Sequence, residues 1–554
     1  KIQWKTNDPV WVEQWPLTAE RLKIARQLVQ EQLQAGHIKP SISPWNTPIF
    51  VIPKKSGKWR LLHDLRKVND QMWAMDALQP GMPLPTMLPR EWHILVIDLK
   101  DCFFTIALHS EDTARFAFTV PSINKAEPSA RYEWVVLPQG MKNSPTMCQM
   151  YVAWALAPLR RQMKTAIIYH YMDDILFCRP EPFTEDILSH ITKELANKGL
   201  CVAPEKLQRT DPWKYLGWLV YNSTISPQKV ELTSSIRTLN DVQRLVGDLQ
   251  WVRNIVGISN EELQPLMGLL KGTDPAALVP WQAEHQQCLE QLSRKLALAV
   301  ADRRYAAIPI SVVICNQPGK QKKGGQNAVA ILEWLFPPST APKSVWQRSE
   351  AVAHLVQKGR QRCKDVSGEE PAHISLPIKA EDLDWMLQNS TPLQLALLDF
   401  SGNIRNYLPH DPRLQVIARQ NWMTRPKVVS HPVKGVTAFT DAGKRSRTAA
   451  CVWQSDGQWQ KHLIHGEARD SLQTLELAAV AWALVTWKDH LLNVVSDSQY
   501  AVGVVQRIEE ALLKPPKNPR LGELFLQICQ AIRLRTACCC IIHIRSHLMD
   551  LGLA

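Results

Sequence analysis

Short apolar runs alternate with polar and proline-rich stretches through the first part of the chain. The runs Ile94–Ile97, Ala166–His170 and Ile175–Cys178 have the length and composition of buried strands. Two further runs, Ile49–Ile52 and Trp59–Leu62, flank a turn rich in lysine. The pattern predicts central strands of a sheet and a hairpin with a cationic tip.

Helical periodicity marks other segments of the chain. Apolar residues recur at helical spacing in Leu17–Gly36, Asn240–Ile255 and Gln282–Ala301, which predicts amphipathic helices there. Later segments, Val436–Thr440 and Leu491–Val495, read as strands on either side of a long helical stretch. The last part of the chain is therefore expected to be a mixed α/β unit.

Irregular stretches supply the candidate domain boundaries. A loop rich in Gly, Lys and Gln lies at Asn316–Asn327, and proline-containing segments at Pro337–Pro342 and Asn421–Pro432 bracket a mixed α/β unit. The chain has 554 residues. At roughly 100–200 residues per domain we expect about three to five domains, and the last starts near Pro432.

Composition excludes some classes of protein. Hydrophobic residues make up 45% of the chain, but runs such as Ala537–Ile542 fall short of the ~18 residues of a membrane span, so we exclude a membrane protein. The twelve cysteines lack a framework apart from Cys538–Cys540, which favours reduced thiols in an intracellular protein. The chain starts at Lys1 with no readable targeting signal, so we interpret it as a mature or excised piece.

The net charge of +13 points to a polyanionic partner, although a large surface can carry such an excess for solubility alone. The surplus of Lys and Arg lies mainly in residues 1–72 and 306–432. Those two regions are the ones expected to meet phosphates, with an affinity that falls as salt rises.

Carboxylates follow two of the predicted strands in the first part of the chain. Asp98 ends the run Ile94–Ile97, and the adjacent pair Asp173 and Asp174 precedes Ile175–Cys178. Like charges this close raise one another's pKa, and a divalent cation would neutralise them. An isolated Asp-Asp pair is otherwise a solvated turn.

A second carboxylate set lies after Pro432. Asp441 follows one strand, Asp497 follows another, and Glu476 lies early in the predicted helix Leu472–Trp487, for which Asp470 or Ser471 is the candidate cap.

Five motifs, in order along the chain, resemble those of the retroviral reverse transcriptases. They are Trp45-Asn46-Thr47-Pro48, Leu65–Asn69, Val96–Phe104, Leu137-Pro138-Gln139-Gly140 and Tyr171-Met172-Asp173-Asp174. Residues 9–16 and 99–104 are similar to avian sarcoma-leukosis-type and K-type endogenous retroviral polymerases.

The resemblance implies an α+β multidomain fold: a right-hand polymerase with fingers, palm and thumb, a connection domain and a ribonuclease H-like α/β domain. We expect fingers at 1–72 and 107–140, palm at 73–106 and 141–230, thumb at 231–305, connection at 306–432, and a ribonuclease H-like domain at 433–554 that is incomplete at its C-terminal end.

The resemblance also implies roles for single residues. The metal ligands would be Asp98, Asp173 and Asp174, holding two Mg²⁺ ions, with Mn²⁺ as an alternative. Residues expected to contact the incoming dNTP are Lys54, Arg60, Phe103, Gln139, Gly140 and Lys206. Phe103 would select against a ribose 2′-OH, unless it is simply a core aromatic.

Two further groups would contact nucleic acid by resemblance. Tyr215, Gly217 and Trp218 match a hairpin that grips the primer end. Gln243, Gly247 and Trp251 match a thumb helix that follows the minor groove. Their i, i+4 and i+8 spacing forms one helical stripe, and a stripe with a Trp is otherwise typical of a core.

The last domain resembles type 1 ribonuclease H, whose acids hold two Mg²⁺ ions. Asp441, Glu476 and Asp497 would be metal ligands, and His547 would assist product departure. The family's fourth acid is missing, and Asp550 lies too close to His547 to replace it, so nuclease activity is left open. Zinc binding by His543 and His547 with Cys540 is disfavoured, because His543 reads as a core histidine.

We therefore expect an RNA- and DNA-templated DNA polymerase with an associated nuclease that cleaves the RNA strand of RNA/DNA hybrids. Its partners would be RNA and DNA templates, a primer strand and dNTPs. We expect a dimer, no membrane partner, and an intracellular or virion-associated location. The alternative is an inactive endogenous relic or a non-catalytic subunit that binds nucleic acid.

Overall fold

The structure is a computed structural model that describes residues 1–54, 57–76, 81–228, 232, 235–315, 329–407 and 423–545. The chain divides into two compact units. The first contains Lys1–Val230 and Val300–Ala306, and the second contains Glu231–Ala299 and Ala307–Ala554. In the described part of the chain, no helix has the length and apolar character needed to cross a bilayer.

The first unit mixes helices with short antiparallel strands. Its helices are α1 (Ala19–Gln34), α2 (Arg66–Asp70), α3 (Cys102–Thr105), α4 (Ser144–Gln162) and α5 (Glu185–Ala196). Its strands are β1 (Ile38–Pro40), β2 (Ile49–Pro53), β3 (Trp59–His63), β4 (His93–Lys100), β5 (Ala117–Val120), β6 (Ala130–Trp134), β7 (Ile167–Tyr171), β8 (Asp174–Arg179), β9 (Cys201–Val202), β10 (Trp213–Tyr215), β11 (Trp218–Val220), β12 (Thr224–Pro227) and β13 (Ala301–Asp302).

The second unit contains the longer helices. They are α6 (Leu239–Val256), α7 (Asn260–Met267), α8 (Ala283–Ala297), α9 (Arg348–Ser367), α10 (Ala380–Asn389), α11 (Thr391–Ala396), α12 (Leu472–Thr486), α13 (Gln499–Ile508) and α14 (Pro519–Leu534). Its strands are β14 (Ser311–Val313), β15 (Val345–Gln347), β16 (His373–Ser375), β17 (Asn403–Arg405), β18 (Val428–Val429), β19 (Val436–Gly443), β20 (Thr448–Ser455), β21 (Gln458–His465), β22 (Leu492–Ser496), β23 (Ala511–Leu513) and β24 (Cys539–His543).

The predicted central strands pair in one sheet of order β7-β8-β4-β9. Residues Ile94–Ile97 of β4 are at most 2% exposed, and Ile175–Cys178 of β8 are fully buried. Helices α4 and α5 pack on the same core. Apolar side chains on both faces of these strands explain why their sequence is a continuous apolar run rather than an alternating one.

The predicted cationic hairpin is formed by β2 and β3, with Ile49 opposite His63 and Pro53 opposite Trp59. A separate sheet of order β1-β6-β5 lies in the same unit. The helix predicted from Leu17 is α1, which Thr18 caps by accepting a hydrogen bond from the Arg21 amide.

A buried arginine attaches Val300–Ala306 to the first unit. Arg303 is fully buried, and its guanidinium donates to the carbonyl oxygens of Leu88, Pro89, Trp92 and Tyr221. Strand β13 also pairs with β12. These contacts satisfy the hydrogen-bonding groups of the buried cation. Val300–Ala306 therefore belongs to the first unit, although most of it lies in the predicted thumb range.

Helices α6, α7 and α8 begin the second unit. Helix α6 starts at a capping box of Thr238 and Asp241 and ends at Gly257, whose φ of 79° is in the left-handed region. The helix predicted over Gln282–Ala301 is shorter than expected, since α8 ends at Ala297. Helices α9, α10 and α11 pack with a parallel sheet of order β14-β16-β17.

The last part of the second unit is built on a six-stranded sheet of order β18-β24-β22-β19-β20-β21. Strands β19, β20 and β21 form an antiparallel meander, whereas β22 and β24 add in parallel. Helices α12, α13 and α14 share its apolar core. All twelve cysteines of the chain are free thiols.

Candidate active sites

The first carboxylate set meets at the end of strand β4. Asp98 lies directly opposite Asp174 in the β4–β8 pair. A turn formed by Met172 and Asp173 joins β7 to β8. The carbonyl oxygen of Asp173 accepts a hydrogen bond of 3.0 Å from the Leu99 amide, which ties the turn to β4. The register of one strand pair therefore brings Asp98 to the adjacent acids Asp173 and Asp174, which are far from it in sequence.

A buried glutamine supports this turn. Met172 has a φ of 55°, in the left-handed region that L residues rarely adopt. Its amide donates to Gln149 Oε1 at 2.7 Å, and Gln149 is a buried residue of α4. Gln149 was not predicted from the sequence, because a polar residue on the buried face of a helix has no local signature. Its role is to hold a strained turn in place.

Burial and mutual repulsion raise the pKa values of the acids on this turn. Burial and the neighbouring charges of Asp173 and Asp98 raise the pKa of Asp174 to about 6. Burial also raises the pKa of Asp173. Lys206 opposes both shifts, since its Nζ lies 2.8 Å from Asp98 Oδ1. The single positive charge of Lys206 therefore does not neutralise the three carboxylates.

The donor chemistry of this set suits a hard divalent cation. Asp98, Asp173 and Asp174 offer carboxylate oxygens, and the raised pKa values of Asp173 and Asp174 reflect burial and negative charge that Lys206 only partly offsets. In the ranges that the structure describes, no three His, Cys, Asp or Glu side chains already stand in a metal-binding arrangement. The ammonium of Lys206 is the cation that contacts Asp98 here.

The second carboxylate set gathers at the edge of the β19–β22 pair. Asp441 lies in β19, Asp497 directly follows β22, and Glu476 projects from α12. Burial raises the pKa of Glu476, and the charges of Asp497 and Asp441 raise it further, which places all three acids within electrostatic reach of one another. A strand, a helix and a strand therefore each supply one acid.

Two serines support this second set. Ser471 is the cap of α12, as one of the two sequence candidates predicted, and it accepts a hydrogen bond from the Thr474 amide. The other candidate, Asp470, pairs instead with Arg520 at 3.1 Å. Ser498 caps α13 and donates to Glu476, a contact that the sequence analysis did not predict.

Comparison with known families agrees with this geometry. Residues 52–220 match the family described as reverse transcriptase (RNA-dependent DNA polymerase), and residues 227–290 match the reverse transcriptase thumb domain. Residues 320–414 match an ERVK-8-like, RNaseH-like domain, and residues 433–550 match RNase H.

The chain belongs to the retroviral reverse transcriptase/ribonuclease H family. It is 40% identical over 562 residues to the Gag-Pro-Pol polyprotein of sheep pulmonary adenomatosis virus, covering 99% of this chain and 31% of that polyprotein. It is 39% identical to the Pol-related polyprotein of the mouse intracisternal A-particle MIA14, covering 99% of this chain and 62% of that protein. The chain thus spans about a third of the first relative and under two thirds of the second.

Membership of this family confirms the predicted polymerase-plus-ribonuclease H architecture. Both kinds of domain generally depend on divalent metal ions and act on nucleic acid. The assignment of single residues, in contrast, depends on where the structure places them.

A cleft of about 440 Å³ connects the polymerase acids to the predicted primer-grip hairpin. Asp98, Asp174 and Lys206 line it together with Tyr215 and Gly217. Strands β10 and β11 form the hairpin, whose turn has left-handed φ values at Leu216 and Gly217. The structure therefore brings the predicted primer contact to the acids.

Side chains of the hairpin itself turn inward. Tyr215 and Trp218 are buried, at 1% and 6% exposure, while Gly217 is exposed. Burial and the charge of Asp174 raise the pKa of Tyr215. The backbone of the turn, rather than the two aromatic rings, is the part that a primer can reach.

The predicted nucleotide contacts fall on separate elements of the first unit. Lys54 and Arg60 are exposed on the β2–β3 hairpin, and Gln139 is exposed next to Gly140, whose φ is 93°. Phe103 is only partly buried against the core. Its neighbour Phe104 stacks on Trp134 with ring centroids 5.5 Å apart. Both rings are partly buried and pack against the core, so the contact of Phe103 with a nucleotide stays a prediction.

The predicted thumb stripe is exposed rather than buried. Gln243, Gly247 and Trp251 lie on the solvent face of α6, and Trp251 is 50% exposed. The opposite face of α6 carries its buried residues Leu245, Leu249 and Val252. The stripe is therefore not part of the core, and its contact with nucleic acid stays a prediction.

The structure argues against the zinc alternative, because two of its candidate ligands face in opposite directions. Cys540 and His543 lie on opposite faces of β24, since strand side chains alternate. His543 is exposed and hydrogen-bonds the Asp497 carbonyl oxygen at 3.1 Å, so the prediction of a core histidine was wrong. His547 and Asp550 lie outside the described residues.

Proposed function

We propose that the first site adds dNTPs to the 3′ end of a primer under the direction of an RNA or DNA template. The observation that carries this proposal is the cross-strand pair of Asp98 and Asp174 with Asp173 on the adjoining turn, in a cleft shared with the primer-grip hairpin. Residues 52–220 supply the matching family.

In this proposal Asp98, Asp173 and Asp174 hold two Mg²⁺ ions, with Mn²⁺ as a substitute. When bound, such ions favour ionisation of the primer hydroxyl and neutralise charge on the phosphates. Lys206 exchanges its contact with Asp98 for a contact with substrate phosphate. The exposed cations Lys54 and Arg60 bind the triphosphate.

The other predicted residues select and align the substrates. Gln139 donates to the sugar of the nucleotide, and Gly140 permits close approach of its backbone. Phe103 collides with a ribose 2′-OH and so favours deoxynucleotides. The exposed stripe of Gln243, Gly247 and Trp251 contacts the minor groove of the duplex.

Primer extension on an RNA template tests this function. The variant Asp173→Asn keeps the size of the side chain but removes its charge, so we expect at least a thousandfold loss of extension with the fold retained. Asp186→Asn, a change on α5 away from the site, is the matched control and should extend normally. Full extension by Asp173→Asn would disprove the assignment.

We further propose that the second site hydrolyses the RNA strand of an RNA/DNA hybrid. The charges of Asp497 and Asp441 raise the pKa of Glu476. This closeness supports a shared site that binds divalent metal ions. Glu476→Gln should abolish hybrid cleavage and leave primer extension intact. Cleavage that survives in Glu476→Gln would remove this proposal.

Both proposals would be contradicted if the chain were a subunit that only binds nucleic acid. It would hold a hybrid with normal affinity and yet fail in extension and cleavage. Both assays and a binding titration on one preparation separate these functions.

We also make a proposal about the assembly of this chain and the place where it acts. Since the relatives are named as polyproteins that include Pol, we propose that this chain acts as a Pol segment, in virions or inside cells, and that it forms a dimer. Light scattering during size-exclusion chromatography would report the mass in solution, and a strictly monomeric mass with nucleic acid bound would contradict the dimer.

A further inference from the structure

A short β-ribbon joins the connection and ribonuclease H parts of the second unit. Strand β15 runs antiparallel to β23, with Val345 opposite Leu513 and Gln347 opposite Ala511. The Lys514 amide extends the ribbon by donating to the Ser344 carbonyl oxygen at 3.0 Å. Since the predicted boundary between the two parts lies at residue 432, the ribbon is a second, non-covalent link between them.

The ribbon is packed as well as hydrogen-bonded. Val345 and Trp346 are each 5% exposed. Val345 belongs to the same apolar core as α12, α13 and α14. A residue of the connection part therefore completes the core of the ribonuclease H part, which makes the joint stiffer than a flexible linker.

An ion pair stands at the end of this joint. Arg348 Nη1 lies 2.9 Å from Glu510 Oε2, and both side chains are partly buried, at 19% and 33% exposure. Arg348 is the first residue of α9, and Glu510 immediately precedes β23. A planar guanidinium paired with a carboxylate in a restricted space fixes direction as well as distance.

The same joint reaches the nuclease acids through one helix. Helix α13 begins two residues after Asp497, packs against β15, and ends next to Glu509 and Glu510. Its ten residues span about 15 Å at 1.5 Å per residue. A rotation at the ribbon is therefore transmitted to the end of the helix that lies beside Asp497.

We propose that Arg348 and Glu510 are positioning residues that set the register at which the nuclease acids meet the RNA strand of a hybrid. This inference rests on the nuclease function proposed above. Successive phosphates of a duplex are only a few ångströms apart, about 3.4 Å along the axis for each strand of DNA. A small change of angle at the joint is enough to present a different phosphate to the acids.

Mapping of cleavage sites on an end-labelled hybrid tests the proposal. The full chain is compared with Arg348→Ala, Glu510→Ala and the charge exchange Arg348→Glu with Glu510→Arg. We expect the single variants to shift or spread the main cut by one or more nucleotides, with a change in total rate below about threefold, a small barrier change. The exchange should restore the original position.

A matched control separates position from stability. Arg360→Ala breaks a partly buried ion pair with Glu370 that lies wholly within the connection part, and it also removes bonds to two carbonyl oxygens. This variant should be destabilised at least as much as Arg348→Ala, yet cut at the original position. Arg348→Lys, which keeps the charge, replaces Arg348→Ala if that variant fails to fold.

Hydrogen exchange of the α13 amides provides a readout without cleavage. We expect at least tenfold faster exchange in Arg348→Ala and recovery in the charge exchange. An unchanged cleavage pattern in the single variants, or unchanged α13 protection, overturns the inference. If the wild-type chain cuts no hybrid, the nuclease proposal is contradicted. If Arg348→Ala nevertheless loses α13 protection, the role of the ion pair in the joint is supported.

Discussion

Buried polar side chains set the local geometry at the residue scale. His63 is 7% exposed, contacts Thr47 Oγ1 through Nε2 at 2.6 Å, and packs edge-on against Phe118. Its carbonyl oxygen lies close to Gly140 of the nucleotide-pocket motif. Gln149 has the same kind of role beneath the turn that carries Asp173. Both residues hold elements that the proposed function places at the substrates.

Protonation of His63 should weaken the first unit. Burial lowers the pKa of His63 to about 4. The unfolded chain, with an ordinary pKa near 6.5, takes up a proton first, so stability present above pH 6.5 is lost as the pH falls toward 4. We expect a loss of about 2 kcal/mol between pH 7 and pH 5. Exchange of β3 amides, corrected for intrinsic rates, would measure it, and His63→Gln should lose less.

Loss of the Gln149 contact should impair catalysis more than folding. Gln149→Leu leaves the Met172 amide without its acceptor, which costs about 1–3 kcal/mol of turn stability. We expect a five- to hundredfold drop in kcat for primer extension, with a smaller change in primer-template affinity. The control is Gln162→Leu on the same helix, where the glutamine side chain contacts His190 at the surface. Equal effects of the two variants would contradict the proposed role.

Helix α6 shows how one element serves both packing and binding. One face of α6 is buried, while its exposed stripe carries Gln243, Gly247 and Trp251. A glycine in the middle of a helix is unfavourable by itself, and a Cβ added at Gly247 would meet no atom within 4 Å. Packing does not require this glycine, which is consistent with the proposed close approach of a duplex.

Gly247→Ala should therefore separate stability from binding. We expect the thumb to gain up to about 1 kcal/mol of stability, because alanine is the better helix former. Primer-template affinity should fall at least threefold, since the methyl group blocks close approach of a sugar. Chemical denaturation and a fluorescence binding titration would measure the two effects. An affinity equal to that of the wild type would argue against a duplex on this face.

At the scale of the whole molecule, the two proposed activities are assigned to two separately packed units. The polymerase acids lie in the first unit and the nuclease acids in the second, so the loss of one set should leave the other intact. The net charge of +13 would suit both proposed activities, because a primer-template duplex and a hybrid are polyanions.

Affinity for a primer-template duplex should fall steeply as salt rises. Neutralising several phosphates releases condensed counterions, so we expect at least about a hundredfold weaker binding at 200 mM than at 50 mM monovalent salt. The slope of log Kd against log salt measures this effect and should be clearly different from zero. A slope near zero would show that the positive charge serves solubility instead.

Local patterns predicted much of what the structure contains. The apolar runs became β4, β7 and β8, and the periodic segment from Asn240 became α6 within a residue or two of the expected bounds. The carboxylates at strand ends marked both acid sets, and the family match accounts for the order of domains. These features depend on residues that are neighbours in sequence, whose periodicity and caps act locally.

Only the tertiary structure decided which distant residues meet. Strand register placed Asp98 opposite Asp174, packing buried Tyr215 and Trp218 while leaving Trp251 exposed, and β15 found its partner in β23. The support of Met172 by Gln149 and the pair of Arg348 with Glu510 likewise have no local signal. Such contacts arise from the pairing of strands and cores across long separations in sequence. The sequence by itself determined the elements, the acids and the family, whereas the geometry of the sites and of the joint came from long-range packing.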